Sequence, residues 1–436
     1  MVSGVLGVVV ATGIAAAVPI GVLAFLAAVA CSARRLDALL LGLVLALFLP
    51  STTFASRAAS FLTLRWILGG AVLFALAVRV SRSSPRHGAL RRVPSPLLAL
   101  TALGILSTAW SVEPALTLGR AVSFLAMVLI LAFLNGVPDG PRQFRTALTA
   151  FGALLAIGGL SSLRLGSISG SRYAGLFINP NALGAAAAVL FPLAFHNALS
   201  ATRTARRWGY GAIAALLAAE TAAAASRGGL LAVTGAYLYL AWSHFRAITS
   251  VRRLLLILLP AVLSVVASVA VIDPHRFSGV NSRGLLWATF PEVFARRAVL
   301  GHGFGATDVV LRPLSSKAGY LEGTAAQFHN SYLTLLSDVG LVAGVLFFVL
   351  LLRTARRSRN ADPAMIAIVI AGLISAAFES WLLSVGSGFS LVFWFALVEV
   401  NRSSGQSRRE PRSHAPLRHG HGDRSRSLAR VPFPQR

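Results

Sequence analysis

Apolar and polar positions fall in long alternating blocks along this chain. Apolar runs of roughly 20 residues predict helices that cross a bilayer. They are separated by polar stretches in which every second one is rich in arginine, the bias expected of loops on the cytoplasmic side. The predicted helices are Val5–Ala30 (with Pro19 a kink), Leu39–Leu49, Phe61–Val78, Leu97–Ala109, Leu116–Phe133, Ala147–Leu163 and Ala182–Leu199. They continue with Tyr210–Ala225, Gly228–Trp242, Leu254–Val271, Ser331–Leu352, Ala364–Leu383 and Leu391–Val400.

The expected fold is therefore an all-α polytopic membrane protein of about 13 transmembrane helices (range about 12–14) with one large extracytoplasmic loop. An odd total puts the N-terminus outside; if the first segment is a broken hairpin, the N-terminus is inside. The chain divides into an extra N-terminal helix over 1–34 and a bundle over 35–272. The large loop over 273–330, further helices over 331–400 and a tail over 401–436 follow. The tail, rich in Arg, Ser and Pro, reads as disordered and cytoplasmic. The expected location is a membrane that the chain crosses many times.

Composition agrees with this class. Of 436 residues, 56% are hydrophobic and 12% charged, against about 25% charged in an ordinary soluble domain. The net charge of +26 would suit nucleic acid if it were clustered, but its distribution follows the loops, so no nucleic-acid partner is expected. The single cysteine, Cys31, permits no intramolecular disulfide.

Candidate chemistry gathers where the large loop ends and an apolar helix begins, at Gln327-Phe328-His329-Asn330-Ser331-Tyr332. His329 stands at a border that water, sugar and lipid head groups can all reach. Charges within apolar segments are costly: Arg65, Arg120, Glu220, Arg227, Glu379 and Glu399. Arg65 and Glu399 sit near helix ends, where side chains reach toward the interface. Glu220 and Arg227 would share a face if one helix ran through both, giving either an ion pair or an arginine at an external site. The large loop adds Arg283, Trp287 and His302, with a short helix expected from Ser282 to about Val299. A tight turn at Gly301-His302-Gly303-Phe304-Gly305 is expected after it. The glycine spacing there is not that of a dinucleotide site.

No Asp-x-Asp pair occurs and the histidines lack zinc-protease spacing, so neither a metal nor a cofactor is expected. External arginines that grip phosphate, with a histidine able to take a proton from a hydroxyl, fit group transfer from a diphosphate donor to an alcohol. Asn179, Asn181 and Asn330 are candidates to hold sugar or phosphate oxygens, or equally to serve as helix caps and turns. Trp287 and Tyr332 complete the candidate substrate-binding set.

These residues lie in motifs that resemble the O-antigen ligase and polymerase superfamily. The matching pieces are Gly175-Leu176-Phe177-Ile178-Asn179-Pro180-Asn181-Ala182-Leu183-Gly184, Ser226-Arg227-Gly228, Arg283 with Trp287, and the Gly301–Gly305 turn. The last is His329-Asn330-Ser331-Tyr332-Leu333 with Gly340 and Gly344. The resemblance implies a helical membrane glycosyltransferase of the GT-C type. It implies inverting, metal-independent transfer from an undecaprenyl-diphosphate carrier to a lipid-linked or other glycan acceptor, or to protein Ser or Thr. It further implies that Arg227 and Arg283 stabilise the diphosphate and that His329 is the essential histidine. The rival class is a transporter or flippase of a lipid-linked anionic glycan, which calls for charges spread through the membrane depth and paired broken helices.

Overall fold

A computed structural model describes residues 36–52, 59–83, 89–163, 168–169, 172–245, 282–317, 327–384 and 386–403. The expected helices Val5–Ala30 and Leu254–Val271 and nearly all of the tail lie outside the described residues. The described chain is a helical bundle. Its elements are α1 (Leu36–Phe48), α2 (Ala59–Ser83), α3 (Ser95–Leu106), α4 (Pro114–Leu134), α5 (Gly140–Leu163), a two-stranded hairpin β1 (Ile168–Ser169) and β2 (Arg172–Tyr173), and α6 (Pro180–Ser200). Then come α7 (Thr204–Ala223), α8 (Arg227–Phe245), α9 (Ser282–Arg296), α10 (Thr307–Lys317), α11 (Ser331–Arg357), α12 (Pro363–Ala376) and α13 (Gly388–Ser403). Among the described residues, four helices are long and apolar enough to cross a membrane: Pro114–Leu134, Gly140–Leu160, Pro180–Ser200 and Ser331–Asn360.

Local sequence explains several helix starts. Asn179 and Asp362 cap α6 and α12, each accepting a bond from a backbone amide of the first turn, and a proline follows each cap. Proline at the first helical position lacks only an amide hydrogen that would have no partner there. The centre of the bundle is α13. Every residue from Leu391 to Val400 is buried, so this helix is apolar all round because it has neighbours all round. Trp394 packs edge-on against Phe124, Phe347 and Phe393. Helices α6 and α8 approach closely: a Cβ on Gly229 would lie 2.9 Å from the backbone of Gly184. Small residues permit such contact between membrane helices.

The two ends of the bundle differ in chemistry. At one end Arg145 pairs with Asp362 and with Glu399 (3.1 Å), and Arg402 also pairs with Glu399 (2.8 Å). Glu399, expected to reach toward the interface, is instead buried between these two arginines. At the other end lie the hairpin, the start of α8, the start of α11 and the segment after α12.

Two helices differ from expectation. The run 364–383 is helical only over Pro363–Ala376, because the backbone that follows bonds to α11: the amides of Trp381 and Leu382 both donate to Ser331 Oγ at 3.1 Å. Helix α11 is broken at Gly340, which has φ +73°. The break exposes the carbonyls of Ser337 and Asp338, and the amides of His302 and Gly303 donate to them at 3.0 and 2.9 Å. In return Leu341 and Val342 donate to the carbonyls of Ala298 and Val299. The Gly301–Gly305 turn is therefore a clasp that re-satisfies a broken helix, as buried backbone groups require.

Candidate active site

His329 lies at the start of α11 and is one of two non-glycine residues with positive φ among the described ones; both His329 and Ala225 have φ +48°. Such backbone strain persists only where the surroundings hold it, and it collects at functional sites. The surroundings here are specific. Asn330 caps α11 through the amides of Tyr332 and Leu333, and its own amide donates to Ser380 Oγ at 3.0 Å. Ser331 Oγ donates to the Glu379 carbonyl at 2.6 Å, and Thr334 Oγ1 lies 3.0 Å from Ser380 Oγ. The 379–382 segment is thus stitched to the first turn of α11. This sets His329 Nδ1 3.6 Å from a Glu379 carboxylate oxygen, at ion-pair rather than hydrogen-bond distance, with both side chains part exposed.

The other strained residue, Ala225, introduces Arg227. Its conformation turns the chain between α7 and α8, so no single helix runs through Glu220 and Arg227. Both carboxylate oxygens of Glu220 are buried without a hydrogen-bond partner, so no hydrogen bond from Arg227 reaches them. Ser226 caps α8 with its side chain toward the Gly229 amide. Arg227 is exposed at the helix start, and the adjacent Gly228 packs on Phe378, where a Cβ would fall 2.7 Å from that side chain. The helix of Arg227 therefore begins beside the segment that carries Glu379.

Arg172, not singled out from the sequence, joins this group. It donates to the carbonyls of Ala224 and Ala225 at 2.9 and 3.0 Å and to Asn181 Oδ1 at 2.7 Å. The available signal was its isolation, since no other charged residue lies between Arg164 and Arg203. Asn181 so joins the arginine group, whereas Asn179 and Asn330 serve as helix caps. Trp287 donates from Nε1 to the Phe328 carbonyl at 2.6 Å, tying α9 to the residue before His329. Leu286, Val293, Leu311 and Phe328 form a small apolar cluster around that tie. Tyr332 donates its hydroxyl to the Leu373 carbonyl at 2.6 Å, which turns it toward the bundle. The backbone of Arg283 is in the first turn of α9, one turn before Trp287; its side chain lies outside those described.

His302, within the clasp, is buried, with Nδ1 3.1 Å from the Ser337 carbonyl. Burial above all, with Arg297 and Arg296 nearby, holds its pKa below the usual imidazole range, although the Ser337 carbonyl acts in the opposite sense. It is a packing histidine of the clasp. Among the described residues no group of three or more His, Cys, Asp or Glu side chains is gathered as metal ligands would be.

A helical membrane protein with a basic, histidine-bearing candidate site at one end of its bundle is the class these observations support. Residues 212–348 match the family model for O-antigen ligase, which supports the resemblance of this segment to the ligase and polymerase superfamily. The matched region includes Arg227, Arg283, Trp287, His329, Asn330 and Tyr332; Arg172, Asn181 and Glu379 lie outside it. Comparison with curated proteins gives no match.

Proposed function

We propose that this protein transfers a glycan from an undecaprenyl-diphosphate carrier to an acceptor hydroxyl at the extracytoplasmic face of the inner membrane, without a metal ion. Arg227, Arg283 and Arg172 hold the diphosphate, whose charge grows as the bond between the anomeric carbon and its phosphate oxygen breaks. The acceptor oxygen forms the new bond to the anomeric carbon from the opposite side. His329 takes the hydroxyl proton, and the diphosphate departs with the electron pair. Glu379 steadies the imidazolium that results. The observation that carries this reading is the strained His329 beside Glu379, in a chain whose residues 212–348 match O-antigen ligase.

The test compares donor binding with turnover in one His329→Gln preparation. Binding of the lipid-linked donor should persist while transfer falls by about 10²–10⁴-fold, the scale of a general base. Glu379→Gln should show a smaller loss of the same kind. Loss of donor binding together with turnover would make His329 a donor-positioning residue, and surviving turnover would remove it from the chemistry.

A further inference from the structure

Two cavities away from the Arg172 and Arg227 group meet at a shared wall that contains Arg65. The larger, about 620 Å³, is walled by α2, α4, α10, the first turns of α11 and residues 380–384. Its wall includes Ser331 and Ser380, so it borders the stitched segments that carry His329 and Glu379. The smaller, about 200 Å³, lies between α1, α2, α4 and α13 and is lined by Leu43, Leu47, Leu73, Met127, Ile130 and Leu391. Arg65, Trp66 and Ser123 belong to both walls. From Arg65 to Leu73 the slot follows α2 for about 12 Å, eight residues at helical rise. A polar chamber thus adjoins an apolar slot, with an arginine at the junction.

The charges on the chamber wall are not equivalent. Arg120 and Asp308 bind each other through two bonds of 2.9 Å, and the arginine also donates to the Gly305 carbonyl. Asp338 Oδ1 accepts from the amide and hydroxyl of Thr307 at 2.8 and 2.6 Å, at the start of α10. Arg65 has no carboxylate partner among the described residues. Its Nε is buried without a hydrogen-bond acceptor, and its guanidinium lies over Trp66, 5.1 Å from the ring centroid. Gly386, at φ +82°, brings the backbone beneath that guanidinium. An arginine left in this state at an apolar border is costly unless a ligand completes it, and a phosphate matches its fork.

We propose that the chamber and slot together form the acceptor site and that the acceptor is an anionic amphiphile. Its phosphate sits on Arg65, its hydrocarbon chain runs down the slot, and its sugar lies in the chamber toward His329. This rests on the glycan-transfer reading above. It adds that donor and acceptor phosphates are held by separate arginines on different walls.

The test uses the full chain with Ser384→Cys as a reporter on the chamber wall, in a Cys31→Ser background, in phosphatidylcholine nanodiscs. Labelling by a neutral maleimide is followed with farnesyl phosphate, farnesol or inorganic phosphate present. Farnesyl phosphate should protect at a concentration lower by about 10-fold or more than either of the others, the scale of one charge-assisted paired contact. The advantage over farnesol should vanish in Arg65→Gln, shrink but remain in Arg65→Lys, which keeps the charge without the fork and shows that α2 still folds, and be untouched in Arg227→Gln. In transfer assays Arg65→Gln should raise the acceptor KM and leave the donor KM alone. Equal protection by farnesol, or an advantage that survives Arg65→Gln, overturns the site. Equal protection by phosphatidylglycerol supplied in the nanodisc makes it a bilayer-lipid site and overturns the acceptor assignment. Protection is read without turnover, so failure of the His329 mechanism and failure of this site are seen separately.

Discussion

His329 and Ala225 adopt a backbone conformation that costs an L-residue of order 1–2 kcal/mol, and each stands at the edge of a group that handles charge. At His329 the cost is met by bonds from Asn330, Ser331 and Thr334 to residues 379–382. At Ala225 it is met in part by Arg172, which gathers two carbonyls of the turn. Arg283 is tested at this scale. Lysine keeps its charge but loses the paired donors that fit a diphosphate, so Arg283→Lys should transfer glycan poorly and Arg283→Ala still less, with both proteins inserting normally. Wild-type turnover in a correctly inserted Arg283→Ala protein would exclude Arg283 from the site.

Between α9 and α11 the glycine turn and the helix break form one element. A Cβ on Gly340 would meet the Val299 carbonyl, and a Cβ on Gly301 would meet the backbone of Asp338. Gly340→Ala should therefore lower the unfolding temperature of the purified protein, since left-handed strain and a backbone collision add; an unchanged melting curve would show that α11 can run straight. His302 makes the same clasp sensitive to acid. Its folded pKa is depressed, so as pH falls below about 6.5 the unfolded chain takes up the proton first. The contribution of His302 is intact above that pH and is lost as pH falls toward the folded pKa. Acidification from pH 7.5 to 5.5 should lower the melting temperature more in the wild type than in His302→Gln, and equal drops would deny the ring this role.

Across the whole molecule, polar groups are sorted by end. Arg145, Arg402, Glu399 and Asp362 tie one end together, and the proposed site occupies the other. If the basic end lies in the cytoplasm, as the positive-inside rule favours, the proposed site faces outward. In a Cys31→Ser background, a cysteine at Val299, exposed beside the clasp, should react with an impermeant reagent in intact cells. One at Asn360, exposed at the basic end, should react only after permeabilisation, and the reverse pattern would invert the orientation.

The sequence by itself determined the helical class, because a bilayer-length apolar run has no other way to satisfy its backbone. It also determined the position of His329 immediately before a helix, since the cap at Asn330 is a local signal. The pairing of Glu379 with His329, the joining of Arg172 to the turn before Arg227, and the meeting of two cavities at Arg65 were decided only by tertiary structure. Each brings together residues from 50 to hundreds of positions apart, or across helices, where no local period records the contact. The end of α12 at Ala376 belongs with them: its apolar pattern continues, but Ser331, on another helix, captures the backbone that would have extended it.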